Sequence, residues 1–288
     1  MSLREKLASG KFVITSEIGP PKGVDIEEMK RNAELLKGRI DAANITDQQS
    51  SVMRLGSLAG CCLLKQWGLE PVFQMTCRDR NRLALQSDLL SAYVLGIENV
   101  LCLTGDHVSL GDHPEAKPVF DLDSVSLLQV VKKLEQGHDL AGKELKGSPR
   151  FFVGASVTPG ADPMEPQIIK MEKKVKAGAQ FFQTQAMYEP KKFEEFMKYV
   201  KHLNVPVFVG IVVLRSAAMA RFMNKNVAGI FVPESLINEI DKAESKAKKG
   251  IEIAARLIKE MKDMCQGVHI MAIGMEDRVP AILDAAGL

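Results

Sequence analysis

The stretch KFVITSEIGPPKGVDIEEMKRNAELLKG, residues 11–38, decides the fold. An apolar run, Phe12–Ile14, delivers one carboxylate, Glu17, and the chain then breaks at Gly19-Pro20-Pro21. Beyond the break, Ile26, Met29, Ala33 and Leu36 recur at helical spacing until Gly38 stops the pattern. A strand, a sharp turn and an amphipathic helix make one unit, and the unit recurs along the chain.

The second unit pairs IDAANIT (40–46) with SVMRLGSLAGCCLLKQWG (51–68), read as a helix throughout. The third pairs EPVFQMTC with DRNRLALQSDLLSAYVLG, and the fourth ENVLCLTGD with SVSLLQVVKKLEQG. FFVGASVTPGADP with EPQIIKMEKKVKAG, AQFFQTQAMY with EPKKFEEFMKYVKHLN, and VPVFVGIVVL with SAAMARFMNKN follow. Residues 232–265 read as helical and one element longer than the repeat. GVHIMAIGM and EDRVPAILDAAGL make the eighth unit.

Strands covered on both faces read as nearly continuous apolar runs, as these do. Right-handed crossovers between parallel strands give an open doubly wound sheet or a closed barrel, and eight units favour an α/β fold of the (β/α)₈ TIM barrel type. An open nucleotide-binding sheet calls for G-x-G-x-x-G after the first strand, and none occurs. No Pro/Ser/Gly-rich linker divides the chain, so residues 1–288 read as a single barrel domain.

Composition narrows the function classes. The net charge of +2 argues against a dedicated nucleic-acid or membrane surface. The five cysteines, Cys61, Cys62, Cys77, Cys102 and Cys265, form no C-x-x-C pair and have apolar neighbours, which suggests buried thiols in a reducing compartment. No charged-then-apolar leader opens the sequence, and no apolar run reaches the ~18–20 residues that span a bilayer. The expectation is a soluble, cytoplasmic protein.

In such a barrel the chemistry sits where the strands finish. Polar residues there include Glu17; Thr46, Asp47, Gln48 and Gln49; Gln74, Thr76, Arg78 and Asp79; Thr104, Gly105, Asp106 and His107; Ser156 and Thr158; Gln183, Gln185 and Tyr188; Arg215; and Glu276. A carboxyl delivered by a strand and left by an immediate turn projects into the mouth beside apolar walls. Partial burial there favours the protonated form and suits a general acid. A salt bridge to a neighbouring strand is the competing reading. In LTGDH, Gly105 lets a ligand approach the backbone beside Asp106, while an Asp that caps the next turn explains the same letters. In FFQTQ, two neutral amides suit an amide-like heterocycle. CRDRN reads as a helix start capped by Asp79. The residues of the long segment 107–123 show little periodicity. His107 and His113 flank it without a Cys or Glu partner motif, so no metal site is expected. Met164, Met171, Met187, Met271 and Met275 read as core fillers. KAESKAKKG reads as a solvated helix face, and Ser156 has no nucleophile-elbow context.

The ordered set SEIGPP, NIT, TC, LTGD, KKVKAGAQFFQTQ and VGI resembles the methylenetetrahydrofolate reductase family over essentially the whole chain. The resemblance implies a barrel holding FAD at its mouth and reducing 5,10-methylenetetrahydrofolate to 5-methyltetrahydrofolate, or running the reverse oxidation. It implies Glu17 as general acid, Asp106 beside flavin and pterin, and Gln185 with Gln183 on the folate. Thr46, Gln74, Thr104, Gly105, Asp106, His107, Ser156 and Lys174 fall at flavin-contacting positions. Three features depart from the pattern: Gln74 stands where many members have His, RSAAMA lacks an aromatic, and GMEDR replaces a terminal Arg. The electron donor implied is NAD(P)H or an iron–sulfur partner subunit, in an oligomer or heteromeric complex. A methyltetrahydrofolate–corrinoid methyltransferase barrel and a non-catalytic folate- or partner-binding subunit are the alternatives.

Overall fold

The computed structural model describes residues 1–288, and its eight parallel strands close on themselves in sequence order. They are β1 (Val13–Ile18), β2 (Ala42–Ile45), β3 (Pro71–Thr76), β4 (Asn99–Leu103), β5 (Phe152–Val157), β6 (Phe181–Ala186), β7 (Val207–Val212) and β8 (Gly267–Met271). Closure comes from β1 pairing with both β2 and β8, with Thr15 opposite Ala42 on one side and His269 on the other.

The helices are α1 (Leu3–Ala8), α2 (Glu27–Leu36), α3 (Ser57–Gln66), α4 (Arg82–Val94), α5 (Ser124–Glu135), α6 (Glu165–Lys176), α7 (Pro190–Val200), α8 (Ala217–Asn226), α9 (Glu234–Asp241), α10 (Lys246–Met261) and α11 (Val279–Ala286). Local chemistry starts several of them. Ser216 and Ser245 each accept from a backbone N–H in the first turn of α8 and α10, and Pro190 opens α7. The extra element expected in 232–265 is α9, set between α8 and α10.

Three local expectations are corrected. The chain begins with α1, which the strand-first reading passed over. Ser2 and Glu5 form a reciprocal capping box there, a signal present in the letters. Helix α3 starts at Ser57 rather than Ser51, because residues 48–56 cross the rim of the barrel. Leu55 N–H donates to the Pro21 carbonyl there, and Gln48, Ser50 and Ser51 have positive φ. Asp79 does not cap α4. Arg78 claims its carboxylate at 2.8–3.1 Å, and Asn81 caps α4 by accepting from Leu83 and Ala84 N–H, both at 3.1 Å.

One apolar core of 68 buried residues fills the space between strands and helices. A second, of eight, plugs the N-terminal end of the barrel with Leu3, Val13, Ala42, Val72, Leu101, Phe152, Phe181 and Phe208. Phe152, Phe181 and Phe208 stack in sequence at 4.9 and 5.3 Å. Gly154 makes room for this stack, since a Cβ there would overlap the Phe181 ring. Cys61, Cys77, Cys102 and Cys265 are buried and unpaired, and burial pushes the Cys77 thiol up to about 12 and that of Cys265 to about 11. No helix is long and apolar enough to cross a membrane.

Candidate active site

Side chains two residues apart on a strand share a face, so the barrel interior rises in layers. Above the apolar plug lies a polar layer drawn from β1, β2, β6 and β8. Asn44 Nδ2 donates to Gln183 Oε1 at 2.7 Å, and Gln183 Nε2 donates to Asn44 Oδ1 (3.1 Å) and Thr15 Oγ1 (3.2 Å). Thr15 Oγ1 is 2.9 Å from His269 Nδ1 and donates to the Val268 carbonyl at 3.3 Å. His269 Nε2 faces Glu17 Oε1 at 3.6 Å.

Glu17, two residues above Thr15, forms the next layer. It is 7 % exposed and accepts from Gln74 Nε2 at 3.2 Å and Gln49 Nε2 at 3.4 Å. It therefore stands at the strand end, inside the mouth, with neutral amides and an imidazole around it. The salt bridge to Arg or Lys that competed for it does not occur.

The rim is built from charge pairs that hold the loops. Arg78, 1 % exposed, donates to the carbonyls of Gln48 (3.2 Å) and Asp106 (3.3 Å), tying the loops after β2 and β4. Asp47 accepts from Thr76 N–H and Oγ1, each at 2.8 Å, and pairs with Arg80. Lys22 pairs with Asp112, which fastens the turn after β1 to the segment 107–123, and Met53 N–H donates to the same carboxylate at 3.0 Å.

Two clefts open at this rim. The first, of about 350 Å³, brings together Glu17, Gln74, Thr104, Gly105, Asp106, Ser156, Lys174, Gln183 and Gln185, with Leu101, Leu103 and Met271 as its apolar patches. Asp106 is exposed there, and Gln183 forms part of the floor with both N–H groups already engaged. Gly105 has φ +94°, and a Cβ on it would lie 3.0 Å from Thr76 Cβ and 3.2 Å from Arg78 Cβ, so the left-handed turn and its close packing on the end of β3 both call for glycine. Lys174 donates to the Ser156 carbonyl at 2.6 Å, and burial pushes its ammonium down to about 8. Lys170, Gln167 and the start of α5 at Ser124 complete the wall.

The second cleft, of about 560 Å³, lies between the turn after β1, helix α2 and the turn after β8. It takes Thr46, which is 2 % exposed and whose hydroxyl has no partner. Thr46 therefore does not join the first cleft as the sequence suggested. His107 also stands apart: it is exposed, bonded to Ser109 at 2.9 Å and stacked on Phe120 at 6.3 Å. Tyr188 turns into the core, where its hydroxyl donates to the Val212 carbonyl at 2.8 Å, and Arg215 lines neither cleft. Met271 lines the first cleft besides filling core. No three His, Cys, Asp or Glu side chains converge in a way that would hold a metal ion. Sequence reasoning missed Thr15, Asn44 and His269. Their signal was a polar residue at alternate positions of otherwise apolar strands.

A closed parallel barrel with an amide-rich cleft at its strand ends defines the class: a (β/α)₈ protein with its chemistry on the loops that lead into helices. The chain belongs to the methylenetetrahydrofolate reductase family, whose model matches residues 2–287. It is similar to methylenetetrahydrofolate reductase 2 of Schizosaccharomyces pombe, at 26 % identity over all of this chain and 47 % of that protein. It is also similar to a probable methylenetetrahydrofolate reductase (NADPH) of Caenorhabditis elegans, at 21 % identity over 86 % of this chain and 36 % of that one. The chain thus spans less than half the length of these curated relatives. Among solved structures, an uncharacterised protein from Clostridium thermocellum, described as binding two copies of 5-methyl-5,6,7,8-tetrahydrofolic acid, shares the fold. Its TM-score is 0.67 at 19 % identity, over 99 % of this chain and 98 % of that one. A 2,3-dimethylmalate lyase shares it at a TM-score of 0.57 and 11 % identity, over 99 % and 84 % of the two chains.

Proposed function

We propose that the chain is a flavin-dependent methylenetetrahydrofolate reductase, interconverting 5,10-methylenetetrahydrofolate and 5-methyltetrahydrofolate. The observation that carries this reading is that Glu17, Asp106 and Gln185, from three different strand ends, line one cleft. Family membership supports it, and so does the ligand described for the Clostridium thermocellum neighbour, which is the product named here.

The residues of the first cleft fit FAD. Gln74, Thr104, Ser156 and Thr158 offer neutral donors and acceptors, and Lys170 with Lys174 suits a diphosphate. Thr46 and His107, outside this lining, drop from the set. Reduced FAD, when bound, supplies the hydride. The chain's own work is proton handling and orientation. Opening of the imidazolidine ring needs a proton at the departing nitrogen, and Glu17, protonated, delivers it. His269 Nε2 faces the Glu17 carboxyl from 3.6 Å. The Asp106 carboxylate then stabilises the substrate iminium, and the Gln185 amide reads the pterin edge by paired donor and acceptor. The reading implies NAD(P)H or an iron–sulfur partner subunit as electron donor, in an oligomeric or heteromeric cytoplasmic enzyme.

The test is the visible spectrum of the purified chain during anaerobic mixing with 5-methyltetrahydrofolate. Bound flavin should bleach, and Glu17→Gln should slow the reduction of 5,10-methylenetetrahydrofolate by ~10²–10⁴ while retaining the flavin. A colourless protein that still binds methyl-folate would overturn the redox reading in favour of methyl transfer or simple binding.

A further inference from the structure

Glu17 separates two clefts, and the proposed reaction uses only one of them. Of all the residues lining the two, only Glu17 and Gln49 belong to both. Flavin and folate in the first cleft would cover that face of the carboxyl. A general acid must nevertheless recover a proton in every turnover, and the second cleft still reaches it from the opposite side. At about 560 Å³ the second cleft has room for several waters, each of which occupies ~30 Å³. Thr46, buried and with an unpartnered hydroxyl, borders it.

One further buried acid lines this second cleft. Glu276, in the turn after β8, is 7 % exposed. Its own backbone N–H and those of Gly274 and Gly19 stand near the carboxyl and oppose the effect of burial, Gly19 being two residues beyond Glu17. Burial pushes its proton affinity up, and Glu28 on α2 adds to that. Asp25 and Glu27 add negative charge from the α2 side, while Lys22, Arg31 and Arg54 oppose it. Asp277 and Arg278 flank it on its own turn.

The geometry points to the second cleft as the proton inlet of the enzyme, with Glu276 relaying protons through cleft water to Glu17. This rests on the reductase reading of the first cleft. After Glu17 has given its proton to the substrate nitrogen, a cleft water protonates the Glu17 carboxylate and takes a proton from Glu276. The Glu276 carboxylate is recharged from solvent at the cleft mouth. No atom other than hydrogen changes place, and no oxidant or reductant is involved. Glu276 acts only through Glu17 and touches neither substrate nor flavin.

The experiment compares wild type, Glu276→Gln and Asn32→Trp, the last placing a bulky ring from α2 in the second cleft alone. Glutamine keeps a carbonyl acceptor for these backbone N–H groups. In Glu276→Gln, multiple-turnover reduction of 5,10-methylenetetrahydrofolate, with a chemical reductant supplied for the flavin, should slow by about 10-fold or more, with flavin content and KM unchanged. Its alkaline limb should move to lower pH, its solvent isotope effect should rise, and formate should restore the rate. Asn32→Trp should slow the same step without losing flavin. In the flavin-free chain, the difference between the infrared spectra of wild type and Glu276→Gln should carry a carboxylic-acid band that persists to higher pH than the bulk glutamate band does. An unchanged rate and pH profile in Glu276→Gln, or a loss that formate does not restore, would overturn the relay. Identical infrared spectra would do the same. A wild type that fails to bleach would overturn the reductase reading instead, while the infrared comparison still decides whether Glu276 stores a proton.

Discussion

Lys174 carries an ammonium group into the wall of the first cleft at 6 % exposure, where the Ser156 carbonyl answers it at 2.6 Å. Burial, and then Lys170, push it from 10.5 down to about 8. The sign of the consequence is fixed. Between about 8 and 10.5 the unfolded chain holds a proton that the folded chain has released, so folding gains stability as pH rises through that window. Below about 8 the full cost of the buried charge is present. Wild type should gain at most about 3 kcal/mol relative to Lys174→Met between pH 7.5 and 10.5. Urea unfolding at the two pH values checks this, and a constant difference would mean that the ammonium is solvated. Glu17 was legible because it ends an apolar run at a turn, whereas Asp106 and Gln185 stood out through the order of their motifs. His269 was not, because in GVHIMAIGM it reads as a lone interruption. Only the register that sets it beside Thr15 reveals its partner across the β1–β8 seam.

At the scale of elements, α1 does more than precede the barrel. Its Leu3 is fully buried among Val13, Ala42, Val72 and the stacked phenylalanines, closing the end opposite the clefts. Leu3→Ala should cost ~2–5 kcal/mol by lost transfer energy and the cavity left behind, read as a lower urea midpoint at constant slope. On the reductase reading, flavin retention should be untouched, because Leu3 lines neither cleft. A cost under about 1 kcal/mol would show that the bottom of the barrel collapses to fill the gap. The strands themselves were easy to find. Their outer faces pack on helices and their lower inner faces on the plug, so the letters stay apolar on both sides. Rim segments such as 48–56 were not legible, because Arg78, Pro21 and Asp112 shape them from elsewhere in the chain.

Taken whole, the barrel has no free sheet edge, since the first strand closes on the last through Val13, Ile14, Thr15 and Ser16. Opening any one unit breaks ladders on both sides, and the prediction is a single unfolding transition. The only tryptophan, Trp67 at the end of α3, should report the same urea midpoint by fluorescence as the whole backbone does by circular dichroism. Two separated midpoints would mean that part of the ring opens independently.

The glycine at 154 and the phenyl ring at 181 fill a single volume between neighbouring strands. Their sizes are therefore not free to drift separately over evolutionary time. A barrel of this lineage that acquires a bulkier residue at the first position must shrink the second, so the two should covary as one unit of inheritance.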